Sequence, residues 1–344
     1  MKKFILLFVF LFPVFAYSAP EPTPRALFDL IKKSNSMRYN IGFLENAITP
    51  VDYSMRLNTT NFYRVETEDK ITINEFQVSD SAKYYYNLAE SEYQSKNLDK
   101  ARFYYLKALK VQPDYYYVQK YVGQTYSFEN NIDLAIFWYE KAIQNNSMDY
   151  MAHWFLADSY FQKREEKKAL SEIIMAKILD RNNKLIDKSL NKILLDKRMD
   201  TTTWLFTPQY ELKVISDREV TVSIDSDWMI YGMAKAATVY QVPLIDAFGE
   251  DTSDFNIPQQ GYCLLVMCQG YLNTKKGGKT KDRTHALYSE ITLAKLEKAV
   301  KKDFLLEFIY FEIILPKHPD FVYTLPTKEL EKIQEYLIKV RYDK

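Results

Sequence analysis

Small and bulky residues recur in this chain at a constant offset of 34 positions: Ala101, Ala135 and Ala169 form one series, Ala108, Ala142 and Ala176 another. The same offset links Ala89, Gly123 and Ala157 as small residues, Leu88, Val122 and Leu156 as apolar ones, and Tyr105, Tyr139 and Ile173 as bulky ones. Two independent registers therefore agree on a repeating unit of 34 residues. The register runs over about residues 81–182. Residues 184–197 then set Leu185, Ile186, Leu190, Ile193 and Leu194 against a Lys/Asp face, the pattern of a helix that caps an apolar stack end.

Period-two alternation replaces this over 204–225, where Leu212, Val214, Val220, Val222 and Ile224 flank Ser216-Asp217-Arg218 and predict a β-hairpin. A shorter alternation at 70–78 predicts a strand, and residues 25–33 a helix. Helical patterns return at 228–240, 262–272, 289–300, 303–315 and 328–340, the last with Thr327 as its N-cap.

The 34-residue unit at Leu88-Ala89, Ala101, Tyr105, Ala108 and Pro113 resembles the tetratricopeptide repeat. So do Val122-Gly123, Tyr126, Ala135, Tyr139 and Ala142, and Leu156-Ala157, Tyr160, Ala169 and Ala176. The resemblance implies a mainly α fold: a solenoid of helix–turn–helix repeats, followed by the β-hairpin and a C-terminal helical domain. It also implies that the first helix of each pair lines a concave face that grips an extended peptide or a helix. The repeat positions it assigns to that face are Lys83, Tyr86, Glu90, Tyr93 and Gln94; Tyr117, Lys120, Gln124, Ser127 and Phe128; then Met151, Trp154, Asp158, Phe161 and Gln162. Six of these fifteen are aromatic, and aromatic side chains cover contact area at small entropic cost. The variant of the family that clamps an acidic C-terminal tail needs Lys and Asn at the fifth and ninth positions. Only Lys120 conforms, and Glu90 and Asp158 would repel such a tail.

Composition narrows the class. With 46 Lys+Arg against 45 Asp+Glu the formal net charge is +1, which argues against a general nucleic-acid binder. Glycine is scarce, at 8 residues, which disfavours phosphate-cradling loops and suits helices. Lys2 and Lys3, the apolar run from Phe4 to Phe15 and the small residues of Ala16-Tyr17-Ser18-Ala19 have the form of an export signal, too short and too interrupted by Pro13 to span a membrane. The expected organisation is a signal peptide at 1–18, a leader and small α/β segment at 19–80, repeats with a capping helix at 81–200, and a hairpin plus helical domain at 201–344. Export places the chain in the periplasm or outside the cell.

Candidate chemistry is sparse. Gly278-Lys279-Thr280 has the end of a phosphate loop but lacks its first glycine, which is Asn273 here. His153, His285 and His318 show no metal-ligand spacing, and no Gly-x-Ser-x-Gly elbow is present. Cys263 and Cys268 stand five apart in an apolar helical run, where they point away from each other and predict two buried free thiols. The expectation is an exported, non-enzymatic interaction scaffold or adaptor without cofactor or metal, whose partners are proteins of the cell envelope. The alternative is an exported enzyme or ligand-binding protein with its site in residues 204–344, which the repeats recruit to its target.

Overall fold

The computed structural model describes residues 19–35, 37–55, 62–277 and 286–344. The export signal expected at 1–18 and the Gly278-Lys279-Thr280 triplet lie outside the described residues. In chain order, α1 (Pro24–Lys32) and β1 (Arg38–Phe43) precede a hairpin of β2 (Phe62–Glu66) and β3 (Ile71–Glu75). The repeat helices follow: α2 (Asp80–Gln94), α3 (Leu98–Val111), α4 (Tyr116–Phe128), α5 (Ile132–Asn145), α6 (Tyr150–Gln162), α7 (Glu166–Leu179) and α8 (Lys184–Asp196). After β4 (Tyr210–Ser216) and β5 (Glu219–Ile224) come α9 (Met229–Tyr240), α10 (Val242–Phe248), α11 (Ile257–Gly277), α12 (Ala286–Lys301) and α13 (Leu305–Phe308). A π-helical turn at Ile309–Ile314 is followed by α14 (Leu315–Lys317), a 3-10 turn at Pro319–Thr324 and α15 (Thr327–Tyr336).

These elements form two compact units, and neither is a continuous stretch of chain. The first comprises Ser54–Thr201 with Leu315–Lys344. Within it α2 packs on α3, α4 on α5 and α6 on α7, each pair meeting at the alanines of the register, which are fully buried. The pairs turn at Lys96, Asn130 and Arg164, all with φ near +60° and spaced by the repeat length. Each turn is closed by the same bond, from the N–H of Asn97, Asn131 or Glu165 to the carbonyl of Glu92, Tyr126 or Tyr160. Arg198 and Met199 reproduce this turn after α8, with φ +56° and an N–H bond to Leu194. The helix expected to be a cap is thus the first helix of an unfinished fourth repeat. It buries Ile186, Leu190, Ile193 and Leu194 on the stack, while Leu185, which the pattern placed on the apolar side, is exposed.

The strand expected at 70–78 is β3, and its antiparallel partner β2 escaped the sequence reading. The last segment of the chain, expected in the second domain, belongs instead to the repeat unit: α15 lies on α7, with the Gln334 amide donating to Ser171 O at 2.7 Å. Thr327 is not the N-cap of α15, a role that falls to Pro326. The orphan N–H of Thr327 is taken by the Glu66 carboxylate at 3.0 Å, which also accepts the Thr327 hydroxyl and pairs with Arg64 at 3.2 Å. An anion from β2 therefore caps this helix.

Among the described residues, the second unit contains 19–53 together with Thr202–Ile314. The expected hairpin forms as β4 and β5, and β1 adds to it in parallel, giving the order β1-β5-β4. Val220, Val222 and Ile224 are buried, whereas Val214, expected on the inner face, is exposed near a bulge. α9 packs on β4 and β5, with α1, α10 and α11 against it. Cys263 and Cys268 are buried and unbridged, and burial pushes the Cys263 thiol up to about 11. Among the described residues no helix is long and apolar enough to cross a membrane.

Candidate functional site

First helices of neighbouring repeats touch, α4 on α6 and α6 on α8. Residues at the second, fifth, ninth and later repeat positions of α2, α4 and α6 divide by their surroundings into two zones.

The first zone is a cluster of tyrosines around Glu90. Tyr86 lies 5.7 Å from Tyr117 and 5.9 Å from Tyr115 between ring centroids, Tyr117 meets Tyr121 edge-on at 5.1 Å, and Tyr121 stacks on the buried Tyr105 at 5.7 Å. Tyr93 packs on Tyr121 at 5.8 Å and on Phe128 at 6.2 Å. Their hydroxyls are ordered: Tyr93 donates to Gln124 Oε1 at 2.7 Å, Tyr117 and Tyr121 share a bond at 3.2 Å, and Tyr105 donates to the Glu90 carboxylate. Burial, with Glu90 as a secondary cause, raises the phenol pKa of Tyr93 to about 12 and those of Tyr86, Tyr105 and Tyr121 further.

The second zone joins α6 to α8. The Trp154 indole N–H donates to Ser189 Oγ at 2.8 Å, and Lys192 Nζ sits 4.8 Å from the Phe161 ring centroid. Burial raises the pKa of the half-buried Asp158, while Lys192, Ser189 and Trp154 act in the opposite direction.

The expected site residues thus separate by surroundings. Tyr86, Glu90, Tyr93, Tyr117, Gln124 and Phe128 come together, as do Trp154, Asp158 and Phe161. Phe128 is the most open of them at 62% exposed. Lys83 is exposed at the start of α2, beyond both zones. Lys120 is not on the accessible surface. Its ammonium is buried on Asp149 Oδ2 at 2.8 Å, with Met151 S at 3.9 Å, and Asp149 also caps α6 through the N–H groups of Met151 and Ala152. A lysine at the fifth position here serves the junction between repeats rather than a ligand. Sequence reasoning missed Tyr121, Ser189 and Lys192. The last would have been found by carrying the register one step past Asp158.

A family model described as tetratricopeptide repeat matches residues 82–115, and a second of the same description matches 122–147. The chain carries tetratricopeptide repeats. The third repeat and the half-repeat at α8 follow from the geometry of their turns. Among solved structures, the chain is similar to the first TPR of Spaghetti (RPAP3) bound to the HSP90 peptide SRMEEVD, at 16% identity and TM-score 0.34 over 35% of this chain and 97% of that one. It is also similar to the Arabidopsis OM64 TPR domain, at 14% identity and TM-score 0.33 over 34% and 97% of the two chains. A third is the Yersinia enterocolitica type III secretion chaperone SycD in complex with a peptide of the translocator YopD, at 22% identity and TM-score 0.33 over 35% and 96%. No curated protein matches this sequence.

The repeats assign no chemistry to residues 204–314. Among the described residues no group of three or more His, Cys, Asp or Glu side chains is placed to hold a metal ion.

Proposed function

We propose that this protein is an exported, non-enzymatic interaction scaffold that holds a segment of a protein partner against the inner face of its repeats. The observation that carries this reading is the accessible aromatic surface of α2, α4 and α6. Tyr86, Tyr93, Tyr117, Trp154 and Phe161 are half-buried and Phe128 is exposed, while the C-terminal helix α15 covers the opposite, second-helix side at α7. Rings already held by neighbours and hydroxyl bonds lose little entropy on binding, so a few of them can dominate the affinity, each at about 2 kcal/mol or more. The groove suits an extended segment with apolar side chains and some polar anchors. Its export rests on the basic and apolar start of the sequence.

The test is capture of partners from envelope extracts by the mature chain and by two variants, Phe128→Arg, which alters only an exposed side chain, and Tyr86→Ala/Trp154→Ala/Phe161→Ala. Both variants are expected to keep the circular dichroism spectrum of the parent and to lose the partner. Retention of the partner by both would overturn the reading.

A further inference from the structure

One repeat position, the ninth, carries a polar or charged residue on each successive first helix: Glu90 on α2, Gln124 on α4, Asp158 on α6 and Lys192 on α8. At the last junction the set is electrically complete. Lys192 reaches over the Phe161 ring at 4.8 Å and favours the ionised form of Asp158, with Trp154 and Ser189 beside them. At the first junction the acid and the rings are present but no cation pairs with the acid. Glu90 accepts from Tyr105 and influences Tyr86, Tyr93 and Tyr121 electrostatically, and no Lys or Arg among the described residues forms an ion pair with it. The next helix offers Gln124, whose amide oxygen is already taken by Tyr93 at 2.7 Å. Lys120 lies over Tyr117 at 4.6 Å, but its charge is held by Asp149.

A carboxylate among tyrosine faces presents two attractions for a cation, the full negative charge and the negative π surface. Tyrosine hydroxyls donate hydrogen bonds but bring no positive charge. We propose that Glu90, with Tyr86, Tyr93, Tyr117 and Tyr121, receives a basic side chain, Lys or Arg, from the bound partner segment. That side chain takes at the first junction the place Lys192 takes at the third. This rests on the reading of the inner face as the binding surface, and it specifies one chemical requirement of the ligand.

The experiment selects a phage library of random extended peptides on the immobilised full chain, then measures the recovered peptides against variants. The expected outcome is enrichment of Lys or Arg at one peptide position, with affinity reduced about tenfold by Glu90→Gln. That substitution keeps an acceptor for Tyr105, and an unchanged near-ultraviolet dichroism checks the cluster. Gln124→Lys, which builds the cation into the chain, is expected to abolish the enrichment. Peptides that are lost with Phe128→Arg/Phe161→Ala yet show no basic bias, or that bind Glu90→Gln equally well, would overturn the cation site and leave the groove standing. Peptides indifferent to Phe128→Arg/Phe161→Ala, or no recovered peptide at all, would remove the groove and the cation site together.

Discussion

A tyrosine on the inner face of these repeats has two roles, and its hydroxyl records both. Tyr93 is half-buried against Tyr121 and Phe128 while its O–H is tied to Gln124. Such phenols ionise at higher pH in the folded chain than in the unfolded one. Tyr93 and Tyr115 are pushed up to about 12 from an ordinary 10, chiefly by burial. The folded state then keeps protons that the unfolded state has released, so this contribution to stability is whole below pH 10 and is lost as pH rises through about 12. Lys177 works in the opposite sense at lower pH. Burial brings it down to about 8 from 10.5, so its penalty is relieved as pH rises across that interval. Urea denaturation across the alkaline range should therefore show stability level or rising from pH 8 and falling steeply above 10. A steady decline beginning at pH 8 would contradict this. Close packing makes the second prediction at this scale. A Cβ on Gly123 would stand 2.6 Å from a Tyr139 ring carbon and 3.2 Å from Ala135 O. Gly123→Ala should cost about 1–3 kcal/mol in a urea titration, outweighing a helix-propensity gain of about 1 kcal/mol.

At the scale of elements, what was legible in the sequence is what neighbours in the chain decide. The repeat register follows from small and bulky residues recurring every 34 positions, its helix pairs from the family that register resembles, and the β4–β5 hairpin from alternation around a short turn. β1 was not legible, because its pairing with β5 joins Arg38–Phe43 to a strand distant in sequence, and no local signal encodes that. The capping of α15 by Glu66 is hidden for the same reason. Lys120 misled because the repeat position of a residue fixes its direction, while burial on Asp149 depends on the loop before α6. The inter-helix turns are legible only in part. Lys96, Asn130, Arg164 and Arg198 adopt a left-handed backbone that favours glycine, and none of them is glycine. Arg164→Gly should therefore stabilise the repeat unit by about 1 kcal/mol, read as a higher urea midpoint with an unchanged slope. A loss of stability would mean that the Arg164 side chain, which lies 3.8 Å from Asp196, contributes more than the backbone strain it imposes.

Across the whole molecule, the repeat unit is completed by segments distant in sequence, the β2–β3 hairpin with Phe76 stacked on Tyr115 and the C-terminal segment with α15 on α7. The β2–β3 hairpin and the final segment meet at Arg64, Glu66 and Thr327, and α15 lies on α7, while Phe128 is exposed and Tyr86, Tyr93, Tyr117, Trp154 and Phe161 are half-buried. The second unit carries its own sheet and core. The central claim is that the partner is held by the inner face, and cross-linking of the full chain in intact cells, mapped by mass spectrometry, tests it most directly. The account predicts cross-links from a protein partner to residues between 83 and 162, lost with Tyr86→Ala/Trp154→Ala/Phe161→Ala. Cross-links confined to residues 204–314, unchanged in that variant, would contradict it and place the interaction in the second unit.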